Sequence, residues 1–590
     1  MHDIRLLFRH MGSYRKDAII GMVIVAVETS LELFIPVLMA RIIDEGIGQG
    51  NIPLILQQGV LMVACAVVAL CLGLGYARFA ARASMGLGAN LRQAEYEHIQ
   101  TFAFSNLDRY QTSSLVTRMT TDITVIQNAM ANGFRPLVRG PVMGVMALVY
   151  ACWLNTELAT VFFCILPVLA VALALIVRRV APLYNKLQDS MDDLNGVVQE
   201  DLTAIRAVKA YVREPFQCTT FDGVNGLLAR TATTTFGTAV LNLPVFQLSM
   251  YAASVLVLWF GGQMIAAGTL HVGELTGFMS YVLQIMNSLM MISNVFLLLT
   301  RALTSARRVE EVLAERPALA LPPASTALRG VPDGSIAFKH VSFRYRADAE
   351  EDVLEDISLE IPAGSTVGIL GGTGSGKSSL VQLIPRLYDA TGGAVLVGGR
   401  DVRDYDLGAL RDAVGIVLQN NVLFTGTVRD NLRWGASDAT DDELLEACRL
   451  ACADEFLDRI GGLDGNLGQG GAGVSGGQKQ RLCIARTLLK RPRVLIFDDS
   501  TSAVDMATEA RIRANLAGIP DATVIIIAQR ISSVRDADGI FVLDDGRLHG
   551  HGTHEELLAH DEIYREICSS QAVGVTAPDG PKREGGETHA

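Results

Sequence analysis

Six long apolar segments with few internal charges occupy roughly the first 300 residues of the chain. A membrane-spanning helix needs about 20 mostly apolar residues, because it must cross roughly 30 Å of hydrocarbon at about 1.5 Å per residue. Buried helices of a large soluble domain are the alternative, but six such runs in succession favour a membrane domain. The predicted spans cover residues 18–43, 54–77, 136–154, 158–177, 235–265 and 275–299.

Positive charge is concentrated on one side of these spans. Lys and Arg residues precede the first span, follow the sixth, and fill the two long connections, the first of which includes Arg135 and Arg139. The other connections are short and nearly free of positive charge. Since cytoplasmic loops carry the excess of Lys and Arg, both termini and the soluble part are predicted to be cytoplasmic. No cleaved signal peptide is expected, because charges are scattered through the N-terminal apolar residues.

The two long connections have the pattern of polar helical extensions of the spans. At helical rise they reach some 30 Å beyond the membrane. Residues 112–122 and 199–211 are the segments predicted to dock on a soluble domain and to transmit force.

Two acidic residues, Glu28 and Glu32, lie one helical turn apart in the first predicted span. This spacing puts them on one helix face, and ionisable residues inside a bilayer are functional candidates. Both are therefore candidate substrate-binding residues. The alternative is a structural role, in which they hydrogen-bond neighbouring spans or face a water-filled cavity without touching substrate.

The chain changes after about residue 335, where alternating strand and helix patterns begin. The predicted fold is an α-helical six-span membrane domain followed by an α/β domain with a phosphate-binding loop. A formal net charge of −12 argues against a nucleic-acid partner, which would require a basic face. The predicted boundaries are a transmembrane domain at 1–314, a linker at 315–334, a nucleotide-binding domain at 335–572 and a polar tail at 573–590.

A phosphate-binding loop lies between an apolar strand and an amphipathic helix in the segment GILGGTGSGKSSLVQLI. Its glycines let backbone N–H groups converge on phosphate, Lys377 adds a point charge, and Ser378 offers a hydroxyl to Mg²⁺. The start of the following helix adds a favourable dipole. The segment predicts ATP binding by Gly371, Gly372, Thr373, Gly374, Ser375, Gly376, Lys377, Ser378 and Ser379.

Two further segments extend this nucleotide site. RVLIFDD places Asp498 and Asp499 after four apolar strand residues, at the strand end where ligands of open α/β sheets bind, so Asp498 is a predicted Mg²⁺ partner. VSGGQKQRL opens a second helix with a hydroxyl, glycines and an amide, which is a second phosphate-binding pattern. One nucleotide seldom needs two such helix starts from one domain. The second is therefore predicted to serve the nucleotide of a partner domain.

These residues resemble the ATP-binding cassette family, and nearly the whole chain is similar to a half-transporter of the exporter fold. GGTGSGKS resembles the Walker A motif, VLIFDD the Walker B motif and VSGGQ the cassette signature. The resemblance implies two cassettes in head-to-tail contact with two ATP molecules between them. It implies roles for the adenine-stacking Tyr345, the magnesium-sensing Gln419, the D-loop at 502–505 with Asp505, and the signature residues Ser475, Gly476, Gly477 and Gln478.

Two positions depart from the family pattern. The residue after the Walker B aspartate is usually a glutamate that acts as general base, and here it is Asp499, one methylene shorter. A misplacement of about 1 Å can cost on the order of a hundredfold in rate. The switch histidine is Gln529, which can hydrogen-bond phosphate but cannot accept a proton. The nucleotide pocket is therefore predicted to bind ATP well and to hydrolyse it slowly.

The signature, by contrast, is nearly standard, with Val474 in place of the usual leucine. This asymmetry predicts the degenerate subunit of a heterodimeric bacterial multidrug exporter in the inner membrane. Its expected partners are a second half-transporter with an intact site, membrane lipid and a small amphipathic substrate. Two alternatives remain open: a homodimer with two slow sites, and an importer of siderophore-like compounds with the same fold.

Overall fold

A computed structural model describes residues 8–346, 348–499, 504–519 and 521–573. Residues 293, 294, 296 and 297 are described by their backbone alone. The chain forms two compact units. The first contains Met1–Gln100 and Thr112–Glu315, and the second contains Thr101–Gln111 and Arg316–Ala590.

The first unit is helical. Asn51 and Asn155 each begin a helix of 48 residues, and their side chains accept hydrogen bonds from the backbone N–H groups of Leu54 and Leu158. These caps allow tight turns between consecutive long helices. Up to residue 314 the helices are α1 (Arg15–Arg41), α2 (Ile52–Ile99), α3 (Phe104–Leu107), α4 (Thr112–Thr117), α5 (Ile123–Leu154), α6 (Thr156–Thr203), α7 (Ile205–Ala210), α8 (Glu214–Ala239), α9 (Asn242–Ala266) and α10 (Val272–Ala314).

Six helical segments in the described residues are long and apolar enough to cross a membrane. They contain the first five spans predicted from hydropathy and residues 275–292 of the sixth, so the predicted fold class of this half is confirmed. Their buried centre includes Phe162, whose ring stacks on that of Phe278 with centroids 6.1 Å apart. Nearby, the Tyr281 hydroxyl donates to the Leu33 carbonyl at 2.8 Å, which satisfies a polar group that burial would otherwise penalise.

The second unit is an α/β domain with two sheets. A six-stranded sheet has the order β10-β9-β3-β8-β7-β6, and a four-stranded antiparallel sheet has the order β2-β1-β4-β5. In the larger sheet, all neighbours except β10 and β9 run parallel, so five carboxyl ends share one edge. The strands are β1 (Ile336–Phe343), β2 (Leu354–Ile361), β3 (Thr366–Gly371), β4 (Gly392–Val397), β5 (Arg400–Asp401), β6 (Val414–Val417), β7 (Val494–Asp498), β8 (Thr523–Ile527), β9 (Gly539–Asp544) and β10 (Arg547–Gly552).

Helices alternate with these strands, as the sequence pattern predicts, which confirms the α/β class of this half. The central strands β7 and β8 are buried along their whole length. They therefore read as continuous apolar runs, which is typical of strands covered on both faces. The helices are α11 (Lys377–Gln382), α12 (Leu407–Ala413), α13 (Val428–Leu432), α14 (Asp441–Leu450), α15 (Asp454–Leu457), α16 (Gly476–Leu488), α17 (Met506–Ala517), α18 (His554–His560) and α19 (Glu562–Val573).

The second unit also contains a segment from the connection between spans two and three. Within Thr101–Gln111, the Asn106 side chain donates to the Arg316 carbonyl and accepts from the Ala318 N–H, both at 2.8 Å. The Tyr388 hydroxyl donates to Asp108 at 2.7 Å. The predicted docking segments 112–122 and 199–211 belong instead to the first unit, and the segment found in the second unit directly precedes the first of them in the chain.

The segment predicted as a linker makes specific contacts with the second unit. The buried Arg386 guanidinium donates to the Ala320 carbonyl at 2.8 Å, and Leu328 forms a parallel bridge with Tyr405. The predicted domain boundaries themselves stay a prediction, and the tail from residue 574 onward lies outside the described residues.

Candidate functional site

The phosphate-binding loop joins the end of β3 to the start of α11. Gly374 and Gly376 both have φ of 88°, a left-handed conformation that disfavours side chains. A Cβ atom on Gly376 would also lie 2.7 Å from the Leu354 side chain. The tip of the loop, Gly372, Thr373 and Gly374, is exposed, whereas Ser375 and Ser379 are buried beneath it. The sequence motif thus folds into an exposed backbone arch on a packed base.

Lys377 lies against this arch. Its ammonium group donates to the carbonyls of Gly371 at 3.0 Å and Gly372 at 2.6 Å. Burial lowers the pKa of Lys377, and the nearby carboxylates of Asp498 and Asp499 oppose that shift. The loop therefore holds a partly desolvated cation beside two carboxylates.

Asp498 ends β7, whose neighbour β8 separates it from β3 in the sheet. The Ser378 hydroxyl donates to Asp498 Oδ1 at 2.7 Å, and Asp498 is 2% exposed. Burial raises the pKa of Asp498, and the adjacent Asp499 charge adds to this, while the hydrogen bond from Ser378 and the Lys377 charge oppose it. Ser378 and Asp498, two of the three residues that the sequence assigns to Mg²⁺, are thus in direct contact.

Hydroxyl and carboxylate oxygens are suitable ligands for Mg²⁺. Within the described part of the chain, no group of three or more His, Cys, Asp or Glu residues is arranged to hold a metal ion. The pair formed by Ser378 and Asp498 therefore fits a cation that arrives with phosphate oxygens of its own, and does not form an all-protein metal site.

The two residues that depart from the family pattern contact each other. Gln529 follows β8, and its side-chain amide donates to Asp499 Oδ2 at 3.1 Å. Burial raises the pKa of Asp499, while Lys377 and Arg530 lower it. Asp499 also has φ of 45°, which aspartate tolerates better than most residues. The predicted catalytic pair is thus brought together at the strand ends beside the phosphate-binding loop.

Tyr345 is connected to the phosphate-binding loop through Ser379. The two hydroxyl oxygens are 2.8 Å apart, and the half-exposed Tyr345 ring meets those of Phe343 and Tyr388 edge-on, with centroids 4.8 and 5.2 Å away. Tyr388 also contacts Phe104 of α3, with centroids 5.9 Å apart. The predicted adenine-stacking ring therefore lies in an aromatic cluster that includes the docked segment.

The predicted signature begins α16. The Ser475 N–H donates to the Gln478 side chain at 2.9 Å, and the Gln478 N–H donates to the Ser475 hydroxyl at 3.4 Å, so the motif forms a capping box. Gly476 and Gly477 form the first turn, and Gly476 is exposed. The helix start is thus accessible and carries N–H groups that suit an anion.

The remaining predicted residues lie at other strand and helix ends. Gln419 is exposed just after β6, on the sheet edge shared with β7, β8 and β3. Asp505 caps α17 by accepting from the Thr508 N–H at 2.9 Å, and this hydrogen bond lowers the pKa of Asp505. The earlier D-loop residues Ser502 and Ala503 lie outside the described residues.

A contact to the switch residue was missed from sequence. Gln571, near the end of α19, donates to the Gln529 carbonyl at 2.7 Å and accepts from the Ile531 N–H at 3.0 Å. Its side chain therefore hydrogen-bonds the backbone at the switch residue Gln529 and two residues after it. No motif marks Gln571, since a glutamine near a helix end has no distinctive spacing.

In the membrane unit, both candidate acids form ion pairs with arginines. Arg135 lies 2.5 Å from Glu28 Oε1, and Arg139 lies 2.5 Å from Glu32 Oε2. Gly73 of α2 leaves room for the first pair, since a Cβ there would lie 3.0 Å from Glu28 Oε1. The sequence assigns these two arginines to the cytoplasmic loop, and ion pairing brings them level with the acids of the first predicted span. The equal spacing of the two pairs, four residues on each helix, was the sequence signal that could have revealed them.

Comparison with known proteins agrees with this architecture. Residues 18–289 match the family described as the ABC transporter transmembrane region, and residues 354–502 match the family described as ABC transporter. The uncharacterized ABC transporter ATP-binding protein MT1311 of Mycobacterium tuberculosis is 37% identical over 97% of this chain and 99% of its own length.

Two more distant similarities cover most of the chain. The putative multidrug export ATP-binding/permease protein YgaD of Bacillus subtilis is 28% identical, over 95% of this chain and 97% of its own. The structure of a bacterial Atm1-family ABC exporter with ATP bound is 25% identical, with a TM-score of 0.79 over 95% of this chain and 99% of that chain. With six apolar spans, a phosphate-binding loop and matches to both regions, the chain belongs to the ABC transporter family, as a half-transporter that joins one transmembrane region to one ATP-binding domain.

Proposed function

We propose that this chain is the degenerate subunit of a heterodimeric, ATP-driven exporter of amphipathic compounds in a bacterial inner membrane, with its cassette in the cytoplasm. Half-transporters dimerise, and the similar solved structure is an ABC exporter with ATP bound. The similarity to a putative multidrug export protein supports an amphipathic substrate. The domain boundaries 1–314, 315–334 and 335–572 are part of the proposal.

The contact between Asp499 and Gln529 carries the proposal of a weak own site. A general base typically contributes 10²–10⁴-fold to a rate, provided that it reaches the proton it removes. Asp499 is one methylene shorter than glutamate, and one of its oxygens already accepts from the Gln529 amide at 3.1 Å. The amide donor that would face phosphate is thereby directed to the carboxylate. Both departures reduce hydrolysis, whereas both leave the phosphate-binding loop intact.

ATP binding rests on the rest of the site. Lys377 and the backbone arch hold the phosphates, and Tyr345 offers its half-exposed ring to adenine. When bound, Mg²⁺ would be held by Ser378, Asp498 and Gln419 and would neutralise phosphate charge. The bound ATP acts as a clamp between the two cassettes.

The signature serves the other nucleotide. Ser475, Gly476, Gly477 and Gln478 open α16 with an exposed, capped helix start, which stabilises the γ-phosphate of ATP held by the partner's Walker motifs. Asp505 belongs to the D-loop facing that site. The chain thereby contributes phosphate positioning to hydrolysis that takes place on its partner.

Vanadate trapping of a photoreactive ATP analogue tests the proposal in the complex with its partner. The label on each separated chain then reports turnover at that chain's own site. We expect label mainly on the partner, and a gain of about a hundredfold on this chain in the double variant Asp499→Glu with Gln529→His. Asp412→Glu lengthens an exposed carboxylate elsewhere in the cassette and serves as the control. Equal labelling of both unmodified chains would contradict a degenerate site.

Expression of the chain alone tests the assembly. Stable dimers of the single chain with substrate-stimulated ATP hydrolysis of ordinary speed would favour the homodimer. Transport in inside-out vesicles tests direction, since ATP-dependent accumulation indicates export and ATP-dependent loss would favour the importer.

A further inference from the structure

The two intramembrane ion pairs form a regular ladder. Glu28 and Glu32 are one turn apart on α1, Arg135 and Arg139 are one turn apart on α5, and both pairs are separated by 107 residues. The ladder therefore joins two helices that run parallel, with two rungs about 6 Å apart along the axis. Its formal charge sums to zero.

The rungs differ in which member is exposed. In the first, the Glu28 side chain is 4% exposed and Arg135 is 40% exposed. In the second, Arg139 is 22% exposed and Glu32 is 34% exposed. The accessible charges are thus a cation on the first rung and an anion on the second.

These accessible charges must face water or another polar group. A charged side chain in the middle of a bilayer is costly, so it faces the protein interior or a hydrated cavity and not lipid. In the part of the chain that the structure describes, Glu28 Oε2 is buried without a hydrogen-bond partner. The ladder therefore contains a hydrogen-bond acceptor that neither of its ion pairs uses.

From this geometry we propose that Arg135 and Glu32 form a headgroup subsite for a zwitterionic amphiphile, which rests on the proposed export function. Arg135 takes the anionic group and Glu32 takes the cationic group, about one helical turn away. A simple cation would be attracted by Glu32 but repelled by Arg135. A simple anion would be attracted by Arg135 but repelled by Glu32. The two acids alone would suggest a cationic substrate, whereas their pairing with arginines favours a zwitterionic one.

Three probes with the same octyl chain test the subsite: octylphosphocholine, octyltrimethylammonium and octyl phosphate. The full complex with its partner is placed in phosphatidylglycerol nanodiscs, and both equilibrium binding and stimulation of ATP hydrolysis are measured. We expect the zwitterion to bind and stimulate at concentrations about tenfold lower than either of the two probes that carry charge of one sign. Equal potency of all three, or preference for the cation, would overturn the subsite.

A charge exchange within one rung gives the sharpest variant. Glu32→Arg with Arg139→Glu keeps the ion pair but makes both accessible charges positive, so octyl phosphate should become the preferred probe. The control is Arg92→Gln, which breaks a 2.8 Å hydrogen bond to Gln127 elsewhere in the unit and should retain the preference for the zwitterion. Loss of assembly with no change in preference would mean that the charges face the partner chain, and would also overturn the subsite.

The source of the zwitterion is tested by repeating the binding in phosphatidylcholine nanodiscs. Weaker binding of octylphosphocholine there indicates that a lipid headgroup occupies the subsite, and unchanged binding indicates a free zwitterion. Both outcomes support the subsite. If ATP-driven transport persists while no charge preference exists, only the subsite fails; if no probe stimulates and vesicles show no ATP-driven transport, the proposed function fails as well.

Discussion

The cassette and the membrane unit both bury charge, but they hold it in different ways. In the cassette, Asp498 and Lys377 are fixed by backbone: a strand end positions one, and a glycine-rich arch positions the other. In the membrane unit, Glu28 and Arg135 are held by each other, by the Tyr76 ring beside Arg135 and by the packing of helices. A site positioned by backbone geometry is marked in the sequence by a motif. A site positioned by helix packing is marked there only by the matched spacing of its residues.

The difference also separates stability from function. Burial disfavours the charged form of the cassette carboxylate Asp498, and this suits a group that binds a cation. The buried membrane carboxylate has its counter-charge already in place. We therefore expect removal of a buried charged side chain to lower the folding stability of the membrane unit and to weaken nucleotide binding by the cassette.

The largest effect is expected from Arg135→Met. This change leaves Glu28 buried without its counter-charge, and breaking a buried pair costs on the order of 3 kcal/mol. Thermal unfolding of the purified complex should show the loss. The double variant Glu28→Leu with Arg135→Met should recover most of it, because no uncompensated charge remains.

The second rung provides the matched comparison. Arg139→Met leaves Glu32, which is 34% exposed and can be hydrated, so we expect a loss of only about 1 kcal/mol. If the two arginine variants were equally destabilised, the distinction between a buried and an accessible rung would be wrong.

In the cassette, Asp498→Asn should act in the opposite sense on stability. Removing a buried carboxylate whose pKa is raised should increase the unfolding temperature of the nucleotide-free complex. The same change should weaken Mg²⁺-dependent ATP binding by about 2 kcal/mol, since hydrogen bonds and ligation by a charged group are lost. Titration calorimetry with and without Mg²⁺ measures the second effect. A lower unfolding temperature in Asp498→Asn would contradict the comparison.

Acid pH should reveal the same carboxylate. Because burial raises the pKa of Asp498 above its ordinary value of 3.8, protonation begins at a higher pH, and Mg²⁺-dependent ATP binding should fall with a midpoint above 3.8. Protonation of Asp498 affects the free energy of unfolding in the opposite sense. The stabilisation by the protonated form is fully present below the unfolded pKa and is lost as pH rises through the folded pKa. Binding and unfolding measured across the mildly acidic range should diverge, and Asp498→Asn should reduce this divergence.

The smallest effect is expected at the switch position. Gln571→Ala removes two hydrogen bonds to the backbone around Gln529, worth about 1 kcal/mol in local stability. Hydrogen exchange of the Ile531 amide should accelerate by about fivefold. Ser570→Ala is the control, since its hydroxyl donates to the Ile567 carbonyl of its own helix. Unchanged exchange at Ile531 would show that Gln571 does not restrain the switch backbone.

Much of the fold and of the nucleotide site follows from local sequence. Span length and hydropathy are properties of single segments, so six helices could be predicted without tertiary information. The contact between Ser378 and Asp498 also follows, because parallel strands end at one edge of a sheet. The structure agrees with both expectations.

Contacts between distant segments could not be derived in this way. Arg135 was assigned to a loop because positive charge is usually cytoplasmic, and its pairing with Glu28 depends on how two helices pack, which the sequence marks only by the matched four-residue spacing. The docked segment was placed too far along the chain, since its anchor, Asn106, bonds to backbone and leaves no charge or hydropathy pattern. Gln571 was missed for the same reason.

The docked segment Thr101–Gln111 also sets an order for biosynthesis. Asp108 is made 280 residues before Tyr388, the residue that donates to it. At 5–20 residues per second, the ribosome needs roughly 14 to 56 seconds to cover that interval. During this interval Asp108 has no Tyr388 hydroxyl to accept from and Phe104 has no Tyr388 ring to contact, so the contacts that hold this segment form only after the cassette emerges.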